Sequence, residues 1–251
     1  MSTQPPDGTE HGAHGGVTPG TYYGHGLPYL SVDRYPGKII AIEGTDGVGR
    51  STQIHLLREW LEVRGYGVVE TGWTRSPLMQ PTIELAKSSN TLNKLTFTLL
   101  YACDFADRLE KEIIPALKAG FIVLADRYIY TAIARAGVRG TDSQWIRRLY
   151  GFAIAPHLVF YLKIEADALA RRVLEGGGIA YWEAGMDMKA GDDIYDSFKS
   201  YQRALLKEYA AMADEFGFRV LDGRKSIKAI QEELRRQIGE FLEGAEDVVR
   251  T

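Results

Sequence analysis

The chain has a single cysteine, no long apolar run and almost no charge bias, and each lack narrows what it can be. Cys103 stands alone among 251 residues, so no disulfide forms within the chain, and a reducing compartment is expected. No stretch approaches the roughly 18 consecutive apolar residues of a membrane-spanning helix. The N-terminus carries no basic segment followed by an apolar one, so no export signal is expected. These absences point to a cytoplasmic protein with no membrane partner. A net charge of −3 gives no electrostatic support for nucleic-acid binding. No internal repeat is visible. What is present, 45% hydrophobic and 25% charged residues, suits one globular domain with an appendage.

The appendage comes first. Within residues 1–36, the first twenty are rich in Gly, Pro, Thr and His and read as disordered. Residues 22–30 are more apolar and are expected to pack as an extension. His11, His14 and His25 lack ligand spacing and a Cys or carboxylate framework, and read as a solvated tail. From Lys38 onward, apolar β-branched runs alternate with helical patterns. Strands are expected over 38–43, 68–71, 121–126, 158–162 and 218–221. Helices are expected over 51–65, 81–90, 94–119, 128–136, 142–152, 166–175, 192–216 and 226–243, with Pro115 kinking the third. The alternation predicts an α/β fold, an open parallel β-sheet covered by helices on both faces. The domain is expected to span 37–245, with a lid at about 175–195 opening on a mobile Gly176-Gly177-Gly178, and a tail over 246–251.

Between the first strand and its helix lies Gly44-Thr45-Asp46-Gly47-Val48-Gly49-Arg50-Ser51-Thr52. The spacing is that of the phosphate-binding loop G-x-x-x-x-G-K-[ST], with Arg50 in the lysine position. Glycines permit positive φ and let successive N–H groups face phosphate oxygens, and the helix start adds its positive end. All nine residues are expected to bind ATP phosphates, with Ser51 a ligand of Mg²⁺. A glycine-rich turn without a ligand is the plainer reading of the same letters. Arg50 is longer than lysine and always charged, so it could neutralise the migrating phosphoryl group or misplace ATP.

The third strand ends in Asp126-Arg127-Tyr128. A carboxylate closing a buried strand opposite a phosphate loop is expected to hold Mg²⁺, and the adjacent arginine to clamp a phosphoryl group. A ligand-free ion pair between Asp126 and Arg127 is the alternative.

Taken in order, these pieces resemble the thymidylate kinase family of P-loop nucleoside monophosphate kinases. The matching pieces are the loop from Glu43 to Gln53, Leu99-Leu100-Tyr101-Ala102-Cys103-Asp104, Ile114-Pro115-Ala116-Leu117, Asp126-Arg127-Tyr128 with Thr131 and Ala134, and Pro156-His157-Leu158. The resemblance covers about 38–245. It implies transfer of the γ-phosphoryl group of ATP, with Mg²⁺, to a nucleoside monophosphate, most simply dTMP to dTDP. It further implies that Asp46 helps hold the acceptor, that Arg127 binds its phosphate and that Tyr101 stacks on its base. Arg50, Asp126 and Arg127 are the implied catalytic set, and a homodimer is the family's common state.

Departures from the pattern are equally legible. Phe105 stands where the family reads the thymine edge with arginine, and Arg108 lies one turn further on. Arg135 and Ala136 replace the family's Tyr and Gln, and Arg75 is shifted relative to its Arg-Glu-Pro segment. Arg75, Phe105 and Arg135 are nonetheless expected at the acceptor site. The lid has no arginine between Glu175 and Ser197, only Lys189, leaving Arg171 and Arg172 at its entrance. Tyr181 and Trp182 are expected to pack beneath the lid. A kinase for another small phosphate ester, or a non-catalytic nucleotide-binding protein, would also suit these departures.

Overall fold

The structure is a computed structural model that describes residues 17–31, 35–89, 93–175, 182, 184–188 and 191–249. Five strands, β1 (Lys38–Glu43), β2 (Val68–Gly72), β3 (Ile122–Asp126), β4 (Leu158–Lys163) and β5 (Arg219–Asp222), form one sheet in the order β2-β3-β1-β4-β5. Every pair is parallel. Each strand must therefore be followed by a crossover, and the crossovers are helical: α1 (Arg50–Val63), α2 (Gln80–Ser89), α3 (Lys94–Arg108), α4 (Ile114–Lys118), α5 (Ile129–Val138), α6 (Ser143–Leu149), α7 (Ala166–Glu175), α8 (Ile194–Phe216) and α9 (Ile227–Val249).

Two cores result from the period-2 alternation of side chains. Ile40, Ile42, Ile122, Leu124 and Phe160 face α1, α7 and α9, meeting Leu57, Leu169 and Leu234. Ile39, Ala41, Val123, Ala125 and Tyr161 face the other way, meeting Phe105 of α3, Ile133 of α5 and Leu205 of α8. Both sheet faces are thus covered, as the apolar runs predict.

One expected helix is divided. The span 94–119 runs as α3, then a wide turn over Leu109–Ile113 in which the Ile114 N–H donates to the Leu109 carbonyl, then α4. Pro115 has no N–H for the carbonyl of Lys111, and the chain shifts from i→i+4 to i→i+5 bonding just ahead of it.

Residues 17–31 lie against the body. The N–H of Gly20 donates to the Ala155 carbonyl (2.8 Å), that of Ala155 to Thr21 (2.7 Å), and that of Tyr23 to Ala153 (2.9 Å). Tyr22, Tyr23, Leu27 and Leu30 pack on the α5–α8 side of the core. The expectations for residues 1–16, Gly176-Gly177-Gly178, Tyr181, Lys189 and the tail from 250 fall outside the described residues. No described helix is long and apolar enough to cross a membrane.

Candidate active site

The register of β1 with its neighbours sets Ile42 beside Asp126 and Glu43 beside Tyr161, while Gly72 pairs with Asp126 from the other side. The carboxyl ends of three strands therefore open onto one crevice, where open parallel sheets bind ligands. Into it turns the glycine loop. Gly44 runs so close to β4 that a Cβ there would sit 2.8 Å from the Leu162 carbonyl. Gly49 has φ 98° and caps α1, a conformation that favours glycine.

Arg50 is turned under this loop. Its Nε donates to Asp126 Oδ1 at 2.9 Å and its Nη1 to the Gly44 carbonyl at 2.6 Å and to the Thr45 carbonyl. The side chain is 8% exposed. In a trans peptide the N–H of the next residue points opposite to the carbonyl, so holding these two carbonyls inward turns the N–H groups of Thr45 and Asp46 outward. Ser51 Oγ donates to the other oxygen of the same carboxylate, Asp126 Oδ2, at 2.6 Å. Asp126 thus pairs with Arg50 and not with its neighbour Arg127.

Arg127 faces the other way. It has φ 69°, rare for a residue with a Cβ, fixed by its N–H to the Ile42 carbonyl (3.1 Å). Its Nη2 donates to Asp46 Oδ1, and Arg135 Nη2 donates to Asp46 Oδ2 at 2.5 Å. Behind them Glu43 is fully buried, accepting from the Tyr128 N–H (2.7 Å), Thr131 Oγ1 (2.7 Å) and Tyr209 Oη (3.2 Å). Burial raises its pKa above the usual carboxylate range, against the pull of these donors. Glu43 pins the start of α5, and with it Arg127 and Arg135.

These groups form one end of a cavity of about 640 Å³. Asp46, Arg127, Thr131 and Arg135 line that end, while Trp73, Phe97, Tyr101, Tyr150 and Trp182 wall the other. Trp73 and Tyr101 lie 5.1 Å apart between ring centroids, and Phe97 stacks on Trp182 at 5.3 Å and 18°. Two pins hold Trp182 and Asp187 across the cavity. Trp182 Nε1 donates to the Lys87 carbonyl (3.2 Å), and Asp187 accepts from Arg139 Nε (2.8 Å) and Nη2 (3.0 Å).

Several expected positions move. Phe105 does not reach the cavity: it is fully buried, edge-on to Tyr128 and Tyr150. One residue along a helix turns a side chain by about 100°, and position 105 lies on the face that meets the sheet. Arg108 is also drawn inward, its Nε on Asp104 (3.0 Å) and its Nη1 on Thr71 Oγ1 (2.9 Å). Arg75 is exposed, lies over Gly72 and does not line the cavity. Arg172 donates to the carbonyls of Val48 (3.3 Å) and Gly223 (3.1 Å), fastening the glycine loop, while Arg171 is exposed. Trp182 packs, as expected, but also lines the cavity. Trp73, Phe97, Arg139 and Tyr150 escaped sequence reading. Phe97 lies one helical turn before Tyr101, and Arg139 one turn after Arg135, so helical spacing carried a signal for both.

Comparison with known proteins bears on the whole of this arrangement. The family model described as thymidylate kinase matches residues 42–234. The "Probable thymidylate kinase 2" of Saccharolobus solfataricus is 38% identical over 211 residues, 83% of this chain and 99% of its own. The "Probable thymidylate kinase" of Thermococcus gammatolerans is 29% identical over 208 residues, 79% and 94% of the two chains. The "Thymidylate kinase" of Desulfotalea psychrophila is 35% identical over 144 residues, 57% of this chain and 71% of its own. The chain belongs to the thymidylate kinase family.

Proposed function

We propose that the protein transfers the γ-phosphoryl group of ATP to dTMP, giving dTDP and ADP. A phosphate oxygen of the acceptor attacks the γ-phosphorus, and the bond from that phosphorus to the β–γ bridging oxygen breaks. One observation carries the reading: the cavity has a cationic end that meets the glycine loop and an aromatic end about the size of a base. A nucleoside monophosphate entering it presents its phosphate to Arg127 and Arg135 and its base to Tyr101, Trp73 and Phe97. Reaction of this kind needs positioning and charge neutralisation from the protein, not a covalent nucleophile.

Residues 44–52 take the ATP phosphates through outward N–H groups, with Arg50 bracing the loop from within. Ser51 and Asp126 bring a hydroxyl and a carboxylate together, hard oxygen donors that suit Mg²⁺, and they are the residues that would hold it. When bound, the ion offsets the negative charge of the nucleotide phosphates.

In this reading the kinase domain spans 37–245 with its lid at about 175–195, and the protein works in the cytoplasm. Leu95 and Leu99, 57% and 40% exposed, align with the exposed Cys103 along one face of α3 and support pairing of two copies through that helix.

The test is an acceptor screen. ATP consumption is measured against the common nucleoside and deoxynucleoside monophosphates, with dTMP expected to give the highest kcat/KM. No turnover with any of them would remove the reading. A second reading, nucleotide binding without catalysis, draws on Arg50 being engaged with the loop itself; calorimetry showing nucleotide binding in a protein that turns nothing over would select it.

A further inference from the structure

Asp46 belongs to the glycine loop, yet its carboxylate is turned away from the α1 start and into the acceptor cavity. There it accepts from Arg127 Nη2 through one oxygen and from Arg135 Nη2 through the other. The two arginines come from different places, the turn after β3 and the second turn of α5, and Arg127 is held in a left-handed conformation that costs energy to maintain. Such convergence makes a site for an anion with several oxygens, and Asp46 fills it with a single negative charge.

Charge accounting around the cavity agrees. Five basic side chains line it against two carboxylates, Asp46 and Asp187. Asp187 is engaged by Arg139 through two nitrogens. A phosphate monoester carries up to two charges and three terminal oxygens, and so satisfies a pair of guanidinium groups better than one carboxylate does. Side-chain exposures of 15% for Arg127, 26% for Arg135 and 12% for Asp46 leave the cluster open to a ligand already in the cavity.

Resting on the acceptor reading above, we infer that Asp46 is an internal stand-in for the acceptor's phosphate, displaced when the monophosphate binds, and that Arg135 is a second phosphate-binding arginine beside Arg127. The exchange frees a residue of the ATP loop each time an acceptor arrives. Acceptor and ATP sites are thereby coupled through one side chain, and the coupling runs equally in both directions.

The experiment uses the full chain and titrates inorganic phosphate, dTMP, thymidine and a non-hydrolysable ATP analogue by calorimetry. Asp46→Asn removes the competing charge and is expected to tighten inorganic phosphate and dTMP by about tenfold or more while thymidine changes little. Asp187→Asn deletes a charge from the same cavity without vacating the arginine pair, and is expected to move phosphate by less than about threefold. Arg135→Gln is expected to weaken dTMP by about tenfold and to leave thymidine and the ATP analogue unchanged; Arg135→Lys, which keeps the charge, falls between.

Unchanged or weaker phosphate binding in Asp46→Asn overturns the inference. So does equal tightening in Asp187→Asn, which would make the effect one of general field. Equal loss of the ATP analogue in Arg135→Gln overturns the assignment to the acceptor. The phosphate titration needs no knowledge of the acceptor, so it still decides the exchange if the acceptor screen shows no turnover.

Discussion

The carboxylate of Asp126 holds the guanidinium of Arg50 on one oxygen, Nε to Oδ1 at 2.9 Å, and the hydroxyl of Ser51 on the other. Two successive residues at the start of α1 are therefore locked to the end of β3. The arginine that breaks the loop's sequence pattern serves as a brace between strand, loop and helix.

A brace makes a distinct expectation. Arg50→Met leaves a largely buried carboxylate without its cation and two loop carbonyls without their donor, so it should lower stability by about 3 kcal/mol. Arg50→Lys keeps the charge but cannot bond in three directions at once from a planar group, and should lose about 1 kcal/mol with turnover retained. Denaturant melts and the KM for ATP check both. A lysine variant as stable as the parent would show that Arg50 braces nothing.

Tyr101 and Phe105 sit one turn apart on α3 and should fail differently. Tyr101 lines the cavity, and Tyr101→Ala should raise the acceptor KM by roughly fivefold to a hundredfold, the worth of about 1–3 kcal/mol of base stacking. Phe105 has no exposed surface, and Phe105→Ala should cost about 3–5 kcal/mol of stability. Phe105→Leu, which nearly keeps the volume, should leave the acceptor KM close to that of the parent. A change in base preference in that variant would restore Phe105 to the acceptor site.

Much of the fold was legible because buried parallel strands write themselves as apolar runs, and all five appear within a residue or two of their expected ends. The division of 94–119 was less so, since a proline announces a disturbance without saying that the helix widens ahead of it. The site was legible in its letters but not in its pairings. Asp126 and Arg127, adjacent in sequence, looked like partners; they bond instead to Arg50, 76 residues from Asp126, and to Asp46, 81 residues from Arg127. A left-handed backbone at Arg127 sends the two side chains apart, and nothing local in the sequence encodes it. Trp73 lay hidden for a similar reason, because a single tryptophan after a strand is silent until the crevice around it is built.

His157 gives the pH dependence. Its Nδ1 accepts from the Ile39 N–H at 3.1 Å at the start of β1, and burial, with Lys38 nearby, pushes its pKa down to about 4. A depressed histidine binds fewer protons folded than unfolded. Its contribution is thus complete above the unfolded value of 6.5 and is lost as pH falls from there toward about 4. His157→Asn offers an oxygen to the same N–H and does not titrate. Thermal melts of the variant should therefore show a flatter decline than the parent between those two pH values, and equal slopes would mean that His157 is not held neutral.

The segment 17–31 should matter to the acceptor more than to ATP. Tyr23 meets Tyr130 edge-on at 6.1 Å, bonds its hydroxyl and meets Phe216 at 5.8 Å, while the backbone of 20–24 pairs with 151–155. Tyr130 lies on α5 one turn before Ala134, beside the Thr131 and Arg135 that line the cavity, and the 151–155 loop follows Tyr150, which lines it too. Removing residues 1–31 uncovers Ile154 and Tyr130, both at most 1% exposed in the intact chain, and loosens both supports of the cavity at once. Tyr23→Ala, a milder change, should cost about 3 kcal/mol, the usual scale for a large aromatic truncation. Both changes are expected to raise the acceptor KM severalfold while the KM for ATP, bound at a loop that 17–31 does not touch, stays near the parent value. Steady-state kinetics with each substrate varied in turn decides it: equal rises in both would make the segment a general stabiliser with no bearing on the cavity.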